Sequence, residues 1–518
     1  MVSPTGGANG DDGAPEPHLV SLATTAGKLV VATTVLGSAV AQLTATVVNV
    51  ALPRLADDLA AGSADQQWVI NAYLLTLASL ILVGGSLGDR YGRVRIYRIG
   101  VAWFGVASLL CAVAPTIELL VAARLLQGVG GALLAPGSLS IIQSTLVRDD
   151  RGRGVGLWSG LSGISAALGP LIGGLLVAAG SWRWAFVLNL PLAVVVLVLS
   201  TRIPETRDHH APGDRLDVGG AVLAAAALGG LSYALIEGPE AGLTAAVAVA
   251  VVAALVGLIG LVVLEPRRAH PMVPIELFAT RAFAAANAIT LIVYGGMGVV
   301  FFLLSIQLQV TAGWSPVAAG TALLPVTLLM LVLSSRAGEL AQRIGPRWPL
   351  TVGPLGIAAG MVLMTRIGPD TSFLTDVAPA TIVFGLGLSL TVAPVTATAL
   401  GSVPDDRAGA ASGTNNAVAR TGQLLAVAAI PPLVGLTGDS LSDPTQLDAG
   451  FGPAMVVAAA MVAAGGLLAA VLLRTDDLEA TADDDEGAEA RWQCPVDGPV
   501  DCRPALVGVG DAGDDADP

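Results

Sequence analysis

Two arginines stand where charge is expensive. Arg124 falls in an apolar stretch over 118–142 and Arg420 in another over 410–434, and the polar residues beside them are uncharged: Gln127, then Asn415, Asn416 and Gln423. A guanidinium in such a setting either faces a cavity or is held by polar partners, and ionisable residues of this kind mark substrate and ion pathways. For Arg124 both readings stay open, as a cavity-lining cation or as one bonded to backbone carbonyls. No carboxylate accompanies them. Of the 40 acidic residues none sits in the middle of an apolar stretch, and Asp89 and Glu118 stand at stretch ends. His18, His209, His210 and His270 lie outside the stretches too. Bond-making chemistry finds no machinery: there is no phosphate-binding loop, no HExxH and no His placed to activate a nucleophile. Cys494 and Cys502, without a His or further Cys nearby, make a poor zinc site. No enzyme, no resident cofactor and no metal are therefore expected.

The elements that must carry these residues are membrane helices. About fourteen apolar stretches, each roughly 20 residues long, are long enough to cross a bilayer. Composition agrees, with 54% hydrophobic and only 13% charged residues and a mean hydropathy of +0.73. In a bilayer every backbone polar group must be satisfied internally, so each stretch reads as a helix. An even count places both termini on one side. The arginines decide which. Arg90, Arg93, Arg95 and Arg98 crowd one loop, Arg148, Arg151 and Arg153 the next loop on that side, and further arginines follow in alternate loops. The opposite loops hold only Arg54, Arg183 and Arg366. The positive-inside rule then makes both termini cytoplasmic.

The net charge of −14 belongs mostly to the chain beyond Asp476, an acidic run rich in Asp, Gly and Ala. That composition reads as a disordered tail, solvated or acting as a partner-binding sensor. The domain reading is a disordered cytoplasmic N-terminus at 1–28, six helices over 29–200, two inserted helices over 217–264, six helices over 283–473 and the tail at 476–518. Nothing points to nucleic acid.

Between the second and third stretches runs Gly85-Ser86-Leu87-Gly88-Asp89-Arg90-Tyr91-Gly92-Arg93-Val94-Arg95. Gly85 and Gly92 allow close approach and a tight turn. Asp89 suits a neighbouring helix N-terminus, where the dipole favours an anion. Arg90, Arg93 and Arg95 suit acids or lipid phosphates. A degraded copy, Gly338 to Arg347 with Arg343 and Gly345 in register and Gln342 in place of the Asp, lies between the tenth and eleventh stretches. Matching loops in two halves signal internal duplication. The first copy resembles the G-x-L-x-D-R-x-G-R-x-R loop motif of the major facilitator superfamily. Arg124-Leu125-Leu126-Gln127-Gly128-Val129-Gly130 resembles that family's R-x-x-Q-G-x-G, and Gly163 through Gly169-Pro170-Leu171-Ile172-Gly173-Gly174 is similar to its antiporter motif. Leu43 to Pro53 and Trp182 to Pro191 resemble segments of the 14-helix drug:proton antiporters.

The resemblance covers about residues 30–475. It implies an all-α integral membrane protein of the major facilitator fold, with fourteen transmembrane helices arranged as two six-helix bundles plus two inserted helices. It also implies a monomer in the cell membrane that exports small molecules by alternating access, driven by a proton gradient. Asp89 and Arg124 are the proton-coupling candidates. One departure matters: Thr44 stands where the family pattern has Asp. A proton-carrying, cation-attracting carboxylate is thus missing at depth. The expected cavity is lined by Thr44, Asn49, Arg124, Gln127, Asn287, Gln307 and Arg420, suited to neutral or anionic compounds. The alternative is an uncoupled metabolite or lipid facilitator.

Overall fold

A backbone that crosses hydrocarbon must bond to itself, and every regular element among the described residues is helical. The computed structural model describes residues 19–206, 217–268, 275–404 and 407–474. The acidic tail, Cys494, Cys502 and all four His residues lie outside them. In chain order the helices are α1 (Thr25–Leu59), α2 (Ser63–Tyr91), α3 (Arg93–Val113), α4 (Ile117–Thr145), α5 (Arg148–Ala178), α6 (Trp184–Val187), α7 (Asn189–Ser200), α8 (Val218–Ala241) and α9 (Ala245–Leu264). They continue with α10 (Arg281–Ile306), α11 (Pro316–Thr321), α12 (Leu324–Ile344), α13 (Arg347–Met364), α14 (Ala378–Gly401), α15 (Ala408–Leu433) and α16 (Pro444–Leu472). Ten of the described helical segments are long and apolar enough to cross a membrane.

Several expected stretches are reshaped by local chemistry. The expected helix over 184–200 is split at Leu188 into α6 and α7, and the one over 317–335 is split into α11 and α12, which carries Pro325 in its first turn. Proline lacks the donor that would continue a preceding turn. Helices also overrun their apolar cores, since hydrogen bonding continues past the hydrophobic run: α1 begins at Thr25, capped by the Thr24 hydroxyl, and ends at Leu59. The N-terminal segment expected to be disordered through residue 28 is ordered from Val20. Its amide donates to Thr145 O at 2.8 Å, and the Asp150 carboxylate accepts from Ser21 Oγ and Leu22 N.

One packing scheme occurs twice. In the first half α1 packs on α4, α5 and α7, α2 on α4, and α3 on α4 and α7. In the second, α10 packs on α14, α15 and α16, α12 on α14, and α13 on α14 and α16. The halves meet where α2 packs on α15 and α5 on α11 and α12, with α1 against α10. α8 and α9 form a hairpin whose α8 lies against α2 and α15, beside that seam. The outer face of α9 is apolar and open, with Val249, Val256, Ile259 and Val262 exposed, as a lipid-facing surface should be.

The seam is tightest at the end remote from the arginine-rich loops. A methyl on Gly174 of α5 would run into the Pro316 carbonyl oxygen, and one on Gly320 would run into that of Pro170. Small residues let backbones touch. The same end is tied by Ser63 N donating to Gly438 O at 2.7 Å, Leu441 N donating to Ser63 Oγ at 3.1 Å and Gln309 Nε2 donating to Val50 O at 3.0 Å. We predict that Gly174→Val or Gly320→Val prises α5 from α11. The variants should melt several degrees lower in detergent, the cost of overpacking being about 1–3 kcal/mol. Cysteines placed near Val50 should then gain reactivity towards thiol reagents. Unchanged melting and reactivity in both would show that the contact does not hold this end shut.

Candidate functional site

Between the halves lies a cavity of about 390 Å³, within the range of small-molecule sites. Its wall combines α1 residues Gln42 and Asn49, α2 residue Tyr73, Arg124 of α4, Trp158 of α5 and Arg420 of α15 with apolar groups such as Phe301 and Leu388. Towards the arginine-rich loops it continues into a second space of about 170 Å³ reaching Gly85, Asp89, Gln143 and Gly409. Towards the other end, between Asn49, Pro170 and Phe301, only about 10 Å³ remains. The path is thus open on one side and closed on the other. No acidic side chain lines the main cavity among the described residues.

Arg124 is 1% exposed and held wholly by neutral partners. Its Nε donates to Val69 O at 2.8 Å and its Nη1 to Gln127 Oε1 at 2.6 Å, while its guanidinium lies 4.5 Å from the Tyr73 ring centroid. From there a buried relay crosses three more helices. Gln127 Nε2 donates to Ser108 Oγ at 2.7 Å, Asn189 Nδ2 to the same oxygen at 3.3 Å, and Thr44 Oγ1 lies 2.9 Å from Asn189 Oδ1. Both readings left open for Arg124 are therefore present, since it touches the cavity and is anchored structurally. Thr44 and Gln127 belong to this relay and are not among the cavity-lining residues, contrary to expectation. A short side chain at 44 reaches only its helix neighbour and Asn189. In α1, Asn49 does line the cavity, where its Nδ2 donates to Ala45 O and its Oδ1 accepts nothing.

Arg420 is half-buried and spans the seam. Its Nη2 donates to Gln42 Oε1 of α1 at 2.8 Å and its Nη1 to Gln423 Oε1 of its own helix at 3.1 Å. Asn287 and Gln307 were expected in the cavity but lie within the second half. Asn287 is buried where Asn415 Nδ2 donates to its Oδ1 at 3.2 Å. Gln307 Nε2 donates to Ile367 O and Asp448 Oδ1 at the closed end. The helical period turns both away. Gln42, Trp158 and Asn415 line the cavity instead; the first was legible as a long polar side chain in an apolar run.

In the arginine-rich loop, Gly92 carries the turn between α2 and α3 at φ 107°, and Gly345 does the same at φ 78° in the second copy. Both values favour glycine. Gly85 and Gly338 are not close-approach points: a methyl on either would meet only an ordinary contact at 3.7 Å, from Pro136 and Ala393 respectively. The tight point is Gly84, where a methyl would strike the Ala132 carbonyl. Asp89 does not cap a neighbouring helix, because it pairs with Arg93 at 2.8 Å one turn on. Glu205 takes the α3 N-terminus, accepting from Val94 N at 2.9 Å and Arg95 N at 3.0 Å. That carboxylate sits over a hundred positions away, where no local pattern could flag it. Arg90 lies 5.3 Å from the Tyr91 ring centroid, and Arg95 and Arg343 are exposed.

The α5 motif faces α1 and α11. Gly169 packs on the Thr46 side chain, Gly173 approaches Val47 O, Gly174 meets Pro316, and Pro170 borders the cavity; Gly163 lies in the same helix. In the segment after it, Trp182 Nε1 and Arg183 Nη1 both donate to Asp58 at the end of α1, and Arg183 Nη2 donates to Ala114 O.

The model of the Major Facilitator Superfamily matches residues 34–427. The puromycin resistance protein of Streptomyces alboniger is 35% identical, over 77% of this chain and 80% of its own length. The tetracenomycin C resistance and export protein of Streptomyces glaucescens is 33% identical, over 84% and 79%. Among solved structures, a bacterial homologue of the human lysosomal transporter Spinster, in an inward-facing and unoccupied conformation, superposes with a TM-score of 0.63. It is 15% identical and covers 89% of this chain and 99% of its own.

Two predictions follow from these contacts. Gln127→Leu strands Arg124 Nη1 in an apolar setting, so it should cost about 1–3 kcal/mol and lower the melting temperature clearly. Glu205→Gln removes the anion at the α3 N-terminus. It should cost about 0.3–1 kcal/mol and raise hydrogen exchange locally at residues 93–96. Exchange that rises equally across the first half would contradict a local capping role.

Proposed function

This chain belongs to the Major Facilitator Superfamily, and on that premise we propose that it is a secondary active transporter exporting drug- or antibiotic-like small molecules across the cell membrane. The observation that carries the reading is the cavity between the halves, which opens towards the arginine-rich loops and narrows to almost nothing at the other end. A site near the seam of a duplicated bundle, exposed on one side at a time, is the geometry of alternating access. The names of the resistance and export relatives support export as the direction.

In the same reading the helices make fourteen crossings, with α6–α7 and α11–α12 each forming one broken crossing. They form two six-helix bundles with α8 and α9 inserted, and both termini are cytoplasmic by the arginine bias. The protein works as a monomer in the lipid bilayer, with small molecules and protons as its only partners. Proton antiport supplies the energy and no cofactor is needed. Asp89 is the proton-coupling carboxylate: it borders the cavity mouth and pairs with Arg93 across the turn between α2 and α3. Arg124 couples indirectly, through Tyr73 and the relay to Thr44. The neutral relay favours one second reading, a facilitator without proton coupling.

Proteoliposomes with an imposed pH gradient decide between them. Gradient-driven movement of a test drug should exceed gradient-free movement, and Asp89→Asn should reduce the driven component by about tenfold while leaving drug binding intact. Equal movement with and without the gradient would make the protein a facilitator.

A further inference from the structure

The cavity between the halves is unusual in its charge: two guanidiniums, Arg124 and Arg420, and no acidic side chain among the described lining. The extension towards the arginine-rich loops adds only Asp89, which is 44% exposed and already paired with Arg93. Such a wall repels cations. Arg124 has its Nε engaged by Val69 O and its Nη1 by Gln127, and it is almost fully enclosed. Arg420 differs. It is half-buried, borders both spaces, and its two Nη groups are each engaged by one neutral amide oxygen, Gln42 Oε1 and Gln423 Oε1.

We propose that the cavity takes amphipathic anions, and that Arg420 receives their carboxylate by exchanging Gln42 and Gln423 for its two oxygens. A guanidinium fork matches a carboxylate with two parallel bonds, and these charge-assisted bonds are about twice as strong as those to neutral amides. The exchange is therefore downhill. The body of the ligand then lies against Tyr73, Phe301 and Leu388, which are aromatic or aliphatic. The exchange also has a mechanical consequence. Gln42 sits on α1 and Arg420 on α15, in opposite halves, so the bond lost on binding is a tie across the seam. Ligand binding thereby loosens the two halves on the cavity side. This names the substrate class of the transport site proposed above and rests on that reading.

The test uses the full-length protein and a matched pair of probes, pyrenebutyrate and its methyl ester. Binding is read by energy transfer to pyrene from tryptophan, since Trp158 borders the cavity. The acid should bind about tenfold or more tighter than the ester, the effect of one charge-assisted pairing. Arg420→Gln should erase that preference and keep ester binding, which also certifies the fold. Gln42→Leu removes the competing acceptor and should raise the acid's affinity and widen its preference over the ester. Equal binding of acid and ester to the unaltered protein, a preference that survives Arg420→Gln, or no binding of either probe overturns the anion site. An acid affinity unchanged in Gln42→Leu overturns the released tie. Flux of both probes in proteoliposomes separates the two readings. Selective acid binding without flux removes the export reading and keeps the site; ester flux without acid preference does the reverse.

Discussion

A guanidinium can be kept inside an apolar slab only where its donors are satisfied, and around Arg124 that demand organises the first half of the molecule. The α2 backbone supplies Val69 O, α4 itself supplies Gln127, and Gln127 in turn fixes Ser108 of α3, Asn189 of α7 and finally Thr44 of α1. Each partner is neutral. A carboxylate at position 44 would sit at the far end of this relay, and its replacement by Thr leaves the positive charge of Arg124 uncompensated within the helices. The relay must be complete, because a half-satisfied network at depth costs more than an apolar one. Arg124 and its relay thus hold five helices together and tilt the cavity towards positive potential at once.

Duplication gives the second half the same packing scheme, and the differences between the halves are where specificity enters. The turn glycines Gly92 and Gly345 keep a positive φ in both copies. Asp89 has no acidic counterpart in the second copy. Similarly, the polar core of the second half is built from Asn287, Thr290 and Asn415 rather than around a buried cation. Its cation, Arg420, projects to the seam instead. One half therefore holds its charge as structure and the other presents it at the cavity.

The two ends of the seam are held by different forces. At the closed end, backbone meets backbone through Gly174 and Gly320, supported by hydrogen bonds from Ser63 and Gln309. At the open end the loops are pinned within each half, in the first by Glu205 on α3 and by Asp150 on the segment before α1, and in the second by Arg407 donating to Glu276. Contacts confined to one half leave the halves free to separate there. Dispersion and fit close one side, while local electrostatics keeps the other from closing by default.

Much of this was legible in the chain itself. Apolar runs and the paired glycine loops are local patterns, and the bilayer converts them directly into helices and a duplicated plan. Cavity membership was not. Asn49, Arg124 and Arg420 border the cavity as their sequence positions suggest, but Thr44, Gln127, Asn287 and Gln307 turn away, because a rotation of 100° per residue and the tilt of each helix decide what a side chain faces. Asp89 was expected at a neighbouring helix N-terminus but pairs with Arg93, and the anion at the α3 N-terminus is Glu205, from a distant loop. Composition and spacing determined what kinds of residue lie at depth; only the packing of helices far apart in sequence decided which of them meet, since hydrogen-bond partners are chosen by distance in space rather than along the chain.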